Sequence, residues 1–164
     1  MAAQRPVYFD PTTGELTRFS TTDIFANEVD FLTVTNPAAE AAGANDIPPG
    51  TPIYCSGADE VAESQANALS TAKAIALAAE TIPEDSGVGQ AQTDGRLTLT
   101  TGEWDAVTGD TGGLTPGARY YVSPTTAGML TTTAPSTDGQ VVVPIGSAKS
   151  ATIMEISFGT RIVL

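Results

Sequence analysis

The chain has 164 residues, of which 19 are acidic and 7 basic, and its formal net charge is −12. The basic residues stand singly, and clustered Lys and Arg supply most of the affinity for nucleic acid, so we expect no nucleic-acid partner. The same argument disfavours an anionic membrane surface. There is no histidine, the commonest general base and metal ligand, which excludes histidine-based triads and zinc sites and predicts no cofactor.

The composition predicts one main domain with a thin hydrophobic core. Hydrophobic residues make up 41% of the sequence, and many are alanines, which bury little area each. A subunit interface is a common way to bury more apolar surface. The single cysteine, Cys55, cannot form an internal disulfide, and we expect it to be a small buried apolar residue. We find no apolar run typical of a signal peptide or a membrane span, so we expect the chain to fold in a cytoplasm.

The first segment predicts an arm ahead of the main domain. The pattern of residues 7–19 predicts two short extended pieces around the turn Asp10-Pro11-Thr12-Thr13-Gly14, either as a hairpin or as a loose arm. We therefore divide the chain into an extended arm or hairpin at 1–28 and a β-rich domain at 29–164. Within that domain, β-branched residues predict strands at 31–35 and 51–55, joined by a loop of Ala, Gly, Asn and Pro.

The stretch at 58–80 is ambiguous between helix and strand. Its Ala, Glu, Gln and Leu content favours one long helix, since neither Gly nor Pro interrupts it. Ser70-Thr71 is a natural break, however, and the apolar residues at 74–79 run on without a polar face. We predict a short helix near 61–69 and a buried strand near 72–79, with the single helix as the alternative.

Beyond residue 82, frequent glycines separate short β-branched runs, a texture typical of an all-β meander. Leu114-Thr115-Pro116-Gly117 has the signature of a type II turn. The fold class is therefore all-β and mainly antiparallel, with short strands and one short helix, in a sandwich or barrel-like domain. The predicted strands in this part are 96–99, 118–122, 128–132, 140–145, 151–158 and 160–164.

Glu103 and Asp105, on either side of Trp104, are the one catalytic candidate, because a glycosidase needs two carboxylates across a cleft. In that interpretation the chain is an enzyme such as a depolymerase. The alternative is a solvated turn that packs Trp104 into a core or a subunit interface. We favour packing, because aromatic residues are only 6% of the chain. Tyr120 and Tyr121 are also predicted to pack, so we expect no enzyme.

Several motifs together resemble the head-decoration and fibre domains of tailed bacteriophages. The resemblance covers about 30–158, most of the chain. Ala76 departs from it, since the pattern often has Gly there. The motifs are Gly50-Thr51-Pro52-Ile53-Tyr54, Ala74-Ile75-Ala76-Leu77-Ala78, Gly95-Arg96-Leu97, Trp104, Gly113-Leu114-Thr115-Pro116-Gly117, Tyr120-Tyr121-Val122-Ser123, Gly128-Met129-Leu130-Thr131, Pro135 and Ile145-Gly146-Ser147-Ala148.

The resemblance implies a β-rich homotrimer that is part of a virion. We expect a capsid decoration, or cement, protein that binds the major capsid protein on the outside of the head. The arm would add a strand to a capsid subunit. The alternative is a head- or tail-fibre module that binds a host receptor or glycan. The predicted capsid contacts are Arg5, Val7, Tyr8 and Phe9, and the predicted trimer or core packing residues are Trp104, Tyr120 and Tyr121.

Overall fold

The computed structural model describes residues 31–37 and 45–164, together with the backbone of 7–9 and 16–18. The described chain forms antiparallel sheets and one short helix, which confirms the predicted all-β fold class. Strands β1 (Val7–Phe9) and β2 (Leu16–Arg18) pair with each other. Arg5 lies outside the described residues, and the division into arm and domain stays a prediction. Among the described residues, no helix is long and apolar enough to span a membrane.

The first half of the main domain is a five-stranded sheet, here called sheet I, in the order β3-β7-β6-β4-β5. Its last strand approaches its first, because Thr35 forms a bridge with Glu60 and its N–H bonds to the Asp59 carbonyl oxygen at 2.8 Å. The sheet is therefore barrel-like around a small core. The strands are β3 (Phe31–Asn36), β4 (Pro52–Cys55), β5 (Val61–Glu63), β6 (Ala76–Ala78) and β7 (Gly87–Gln92).

The second half contains the larger core, covered by a sheet in the order β10-β9-β12-β13-β8, here called sheet II. A separate two-stranded ribbon pairs β11 with β14. The elements are β8 (Gly95–Thr98), helix α1 (Thr101–Thr108), β9 (Arg119–Val122), β10 (Leu130–Thr131), β11 (Val141–Val142), β12 (Pro144–Ala148), β13 (Ile153–Ile156) and β14 (Ile162–Val163).

Strand β6 contributes to both cores. Side chains alternate between the two faces of a strand, so Ala76 and Ala78 enter the small core while Leu77 enters the larger one. All three are fully buried. A strand with an apolar residue at every position is expected where both faces are covered. The predicted buried strand near 72–79 is thus confirmed, although it is shorter than predicted.

The prediction of a helix near 61–69 is wrong. Residues Val61–Glu63 form β5 and pair with β4, and no residue between 64 and 75 is helical. The Thr71 carbonyl oxygen accepts a bond from Ser64 Oγ at 2.8 Å, and the Thr71 hydroxyl reaches the Gln65 carbonyl oxygen at 2.9 Å. Pairing of β5 with its neighbour therefore overrides a modest helix propensity.

The helix forms instead at Thr101–Thr108, in the segment predicted to be a solvated turn. Thr100 caps its first turn by accepting from the Glu103 N–H, while the Glu103 carboxylate accepts from the Thr100 N–H at 2.8 Å. Gly109 ends it in the left-handed conformation, at φ 72°. This capping box fixes where the helix starts.

The structure also tests the predicted type II turn and the predicted burial of Cys55. The type II turn is confirmed, because Gly117 has φ 81° and the Ala118 N–H bonds to the Thr115 carbonyl oxygen at 3.0 Å. The prediction that Cys55 is buried is wrong, because its side chain is exposed. Strand β4 runs from buried Pro52 toward an exposed turn at 56–60, so solvent reaches the last residue of the strand.

Candidate functional site

Exposed apolar side chains are the feature of the described chain that points most directly to a function, because apolar patches on a soluble protein commonly mark interaction sites. All but one of the large examples collect in two places, on the β11–β14 ribbon with a neighbouring loop and on strands β3 and β7. The exposed large apolar residues are Phe31, Leu32, Leu69, Ile75, Val88, Ile162, Val163 and Leu164.

The first group lies on the outer strand of the ribbon. Ile162 and Val163 are 55% and 57% exposed, although they pair with Val142 and Val141. Leu164 continues the pairing, since its N–H bonds to the Gln140 carbonyl oxygen at 3.0 Å. The second edge of β14 pairs with no other described strand. Because side chains alternate between the faces of a strand, Val163 lies on one side of this edge and Ile162 and Leu164 on the other. Apolar residues on both sides of an open edge favour association with another chain.

A loop brings Leu69 to the same region. The Val141 N–H bonds to the Ala66 carbonyl oxygen at 3.0 Å, and Arg161 Nη1 lies 3.4 Å from the Ala72 carbonyl oxygen. These two bonds attach both ends of the loop 66–72 to the ribbon. Leu69, 56% exposed, lies between the attachments. We call Leu69, Ile162, Val163 and Leu164 the ribbon patch.

The second group lies on the outer face of β3 and β7. The register pairs Thr33 with Gln90 and Thr35 with Val88, so Phe31, Thr33, Val88 and Gln90 share one face of sheet I. All four are exposed, with Phe31 at 51% and Val88 at 60%. We call these four residues the β3–β7 face. It has an apolar residue toward each end and no charged side chain.

The charges around the two surfaces differ. Segments 64–79 and 156–164, which carry the ribbon patch, contain no acidic residue and two basic ones, Lys73 and Arg161. Asp138, in the turn beside Leu164, is the nearest acid along the ribbon. One carboxylate borders the β3–β7 face, since Glu80 Oε1 accepts from the Gln90 N–H at 3.0 Å. The other acidic residues in the described part of sheet I and its loops are Asp46, Asp59, Glu60, Glu63, Glu84 and Asp85.

The predicted packing residues divide between core and surface. Trp104 and Tyr120 are fully buried in the larger core of the chain itself. The Tyr120 hydroxyl accepts from the Thr115 N–H at 2.9 Å, which ties the type II turn to β9. Tyr121 is half-buried. Trp104 and Tyr120 therefore hold the fold together.

The predicted capsid contacts are described less fully. Val7, Tyr8 and Phe9 form β1, whose backbone pairs with β2 from Val7 opposite Arg18 to Phe9 opposite Leu16. Among the described strands, the other edge of β1 is unpaired. The segment is therefore a strand with one partner, β2, among the strands that the structure describes.

The carboxylates of Glu103 and Asp105, beside Trp104, both accept hydrogen bonds from nearby backbone N–H groups. Asp105 accepts from the N–H groups of Gly112 and Gly113, at 3.1 and 2.6 Å. The backbone hydrogen bond from Thr100 is the main cause that lowers the pKa of Glu103 below its ordinary value. Glu103 thus stabilises the start of α1, and Asp105 holds the loop that follows the helix. In the described part of the chain, no cluster of three or more acidic or cysteine side chains is placed to hold a metal ion.

The described surface also has two open clefts. One, of about 480 Å³, is lined by residues that include Asn36, Asp46 and Glu63. Burial raises the pKa of Glu63 above its ordinary value. The other, of about 280 Å³, has a lining without charged residues: Ser123, Pro124, Thr125, Thr131, Thr133, Ala134, Pro135, Ser136, Thr137 and Gln140.

The sequence alone predicts neither apolar surface. It predicted an extended piece at 160–164, but three successive apolar residues do not show which of them will be covered. The strands predicted from the sequence also leave out 87–92, where Gly87–Gln92 forms β7. The signal that was present is the run Ile162-Val163-Leu164, which lacks the polar alternation of a strand with one solvent face.

No family model, curated protein or solved structure matches the chain.

Proposed function

We propose that this chain is a structural, non-enzymatic virion protein, a capsid decoration or cement protein that binds the outer surface of a tailed-phage head. The observation that carries the proposal is the pair of exposed apolar surfaces on a small acidic β protein. Such surfaces suit permanent contacts with other subunits. The sequence resemblance to head-decoration domains supplies the virion context.

The β1–β2 hairpin is the proposed attachment to the major capsid protein. A strand with an open edge can extend a sheet of another protein, and main-chain hydrogen bonds then supply much of the affinity. Arg5, Val7, Tyr8 and Phe9 would lie in that contact. The main domain, as a homotrimer, would cover the surrounding capsid surface.

A cement protein would stabilise the capsid shell through its binding equilibrium. A protein that binds the assembled shell and not its separated subunits stabilises the shell by the free energy of binding. No cofactor takes part in this mechanism. Three attachments on one trimer also raise the effective concentration of each arm after the first has bound.

The test uses heads that lack the protein. Purified chain is mixed with such heads, bound protein is measured by co-sedimentation, and the temperature of head rupture is followed by DNA release. We expect saturable binding and a higher rupture temperature than for undecorated heads. Absence of binding to heads, with labelling of tails or host cells instead, would contradict the cement role.

A second candidate function is a fibre module that binds a host glycan. The observation that favours it is the uncharged cleft near Ser123 and Gln140, because hydroxyl and amide groups match the hydrogen bonding of sugars. Saturable binding of the chain to host cells, abolished by removing surface glycans, would support this function over the first.

A further inference from the structure

We propose that the ribbon patch of one copy binds the β3–β7 face of a second copy, so that chains assemble head to tail. The inference names the contact surfaces of the homotrimer in the proposed function, and its closure into a three-membered ring rests on that function. The contact itself rests on observations of the described residues.

The first observation is apolar surface on both partners. Ile162, Val163 and Val88 are each more than half exposed, as are Phe31 and Leu69. Removing a large apolar side chain from water stabilises a contact by roughly 1.5–3 kcal/mol when burial is complete. A small chain with an alanine-rich core gains substantially from such burial.

The second observation is charge, which decides between the possible pairings. Two ribbon patches in contact would bring together two surfaces that each carry Lys73 and Arg161 against one acid, Asp138. Two β3–β7 faces in contact would bring together two surfaces that are each bordered by a Glu80 carboxylate, within a chain of net charge −12. The mixed pairing places the surface in which basic side chains outnumber the acid beside the surface bordered by Glu80. Complementary charge favours the correct encounter, and like charges oppose the wrong ones.

The third observation is that the two surfaces belong to different sheets. A contact between two different patches is heterologous, and repeating it around an axis gives either a closed ring or an open filament. In a closed trimer each copy uses both surfaces once. Each β14 would then be covered by a neighbour, which removes an exposed apolar edge from the surface of the particle.

The experiment compares three single variants of the full chain by light scattering on a sizing column. Val163→Glu places a charge in the ribbon patch, and Phe31→Glu does so on the β3–β7 face. Ala106→Glu, at an exposed position of α1, is the control for added negative charge. We expect three times the chain mass of 16.7 kDa for the unmodified chain and for Ala106→Glu, and a monomer for each of the other two. Near-ultraviolet circular dichroism of buried Trp104 checks that every variant is folded.

Mixing the two monomeric variants is the decisive step. Val163→Glu retains its β3–β7 face and Phe31→Glu retains its ribbon patch, so one intact contact is possible between them. We expect a one-to-one dimer that grows no further. A monomeric unmodified chain, a trimer that survives Val163→Glu, or a mixture that stays monomeric would each overturn the inference.

The outcome is separable from that of the proposed function. If the variants stay trimeric but the chain still cements heads, these contact surfaces are wrong and the cement function stands. If the mixture forms the dimer while the trimer binds no heads, the contact surfaces stand and the function is wrong.

Discussion

The indole Nε1 of Trp104 donates a hydrogen bond to the carbonyl oxygen of Thr152, 3.1 Å away, and joins α1 to the start of β13. The same carbonyl oxygen accepts from the Leu99 N–H at 3.0 Å. One oxygen therefore holds the helix and the chain that leads into it against sheet II. Trp104 is fully buried, so its hydrogen bond is protected from competition by water.

Replacing Trp104 tests how far the larger core depends on it. Trp104→Ala should lower the free energy of unfolding by about 3–5 kcal/mol, since it leaves a cavity. Trp104→Phe should cost less, because it keeps most of the apolar volume and loses the bond to Thr152. Urea denaturation measures both, with Ala106→Ser on the exposed side of α1 as the control. Equal stability of Trp104→Ala and the unmodified chain would contradict this role.

The helix illustrates what the sequence could and could not predict. Thr100-Thr101-Gly102-Glu103 contains a capping box, so the start of α1 was readable from the sequence. The Ala-rich composition of 58–80 favours a long helix in that segment. The segment instead contains β5, because its residues pair with β4. Local propensity is worth a few tenths of a kcal/mol per residue, and long-range strand pairing outweighs it. Leu77 was predictable as buried, whereas its position between two cores was not, because that depends on the packing of sheets I and II.

The capping box gives a second prediction, which depends on pH. The pKa of Glu103 is lowered in the folded chain, so its contribution to stability is present above its unfolded pKa and is lost as the pH falls through the folded value. Glu103→Gln should therefore destabilise the chain at neutral pH and converge with it in acid. Thr100→Ala, which removes the cap, should cost about 1 kcal/mol. Thermal unfolding at a series of pH values measures both effects.

Glu63 should behave in the opposite sense and serves as the comparison. Burial raises the pKa of Glu63 in the folded chain. Protonation of Glu63 therefore stabilises the fold, fully at a pH below its pKa in the unfolded chain. This contribution is lost as the pH rises through its pKa in the folded chain. Glu63→Gln should raise the melting temperature at neutral pH, with the gain disappearing in acid. The same sign of change for both variants at neutral pH would show that one assignment is wrong.

A pair of glycines tests the close packing of sheet II. A Cβ at Gly146 on β12 would meet the Glu155 carbonyl group of the adjacent β13. Gly146→Ala should therefore destabilise by roughly 1–3 kcal/mol, as overpacking does. Gly102, in the first turn of α1, has no heavy atom within 4 Å of such a Cβ. Gly102→Ala should stabilise the chain by up to about 1 kcal/mol, since alanine favours a helix over glycine. Chemical denaturation compares them, and a Gly146→Ala chain as stable as the unmodified one would contradict the close approach.

The last prediction concerns the arm and the attachment to heads. Strand β1 pairs only with β2 among the described strands, and the hydrogen bonds within sheets I and II involve neither strand. Removing residues 1–10 should therefore leave a folded trimer, because every described side chain of the two cores lies outside this segment. It should abolish binding to undecorated heads, since the strand with the open edge is lost.

Removing residues 1–4 is the matched control, because it shortens the chain but retains Arg5 and β1. That variant should bind heads as the intact chain does and raise their rupture temperature by the same amount. Co-sedimentation gives the bound fraction, and light scattering confirms that both truncated chains keep their subunit number. If the chain without residues 1–10 decorates heads as well as the control, attachment lies elsewhere. The exposed surfaces of the main domain would then have to supply the contact, because mass action stabilises the shell only through surfaces that bind it.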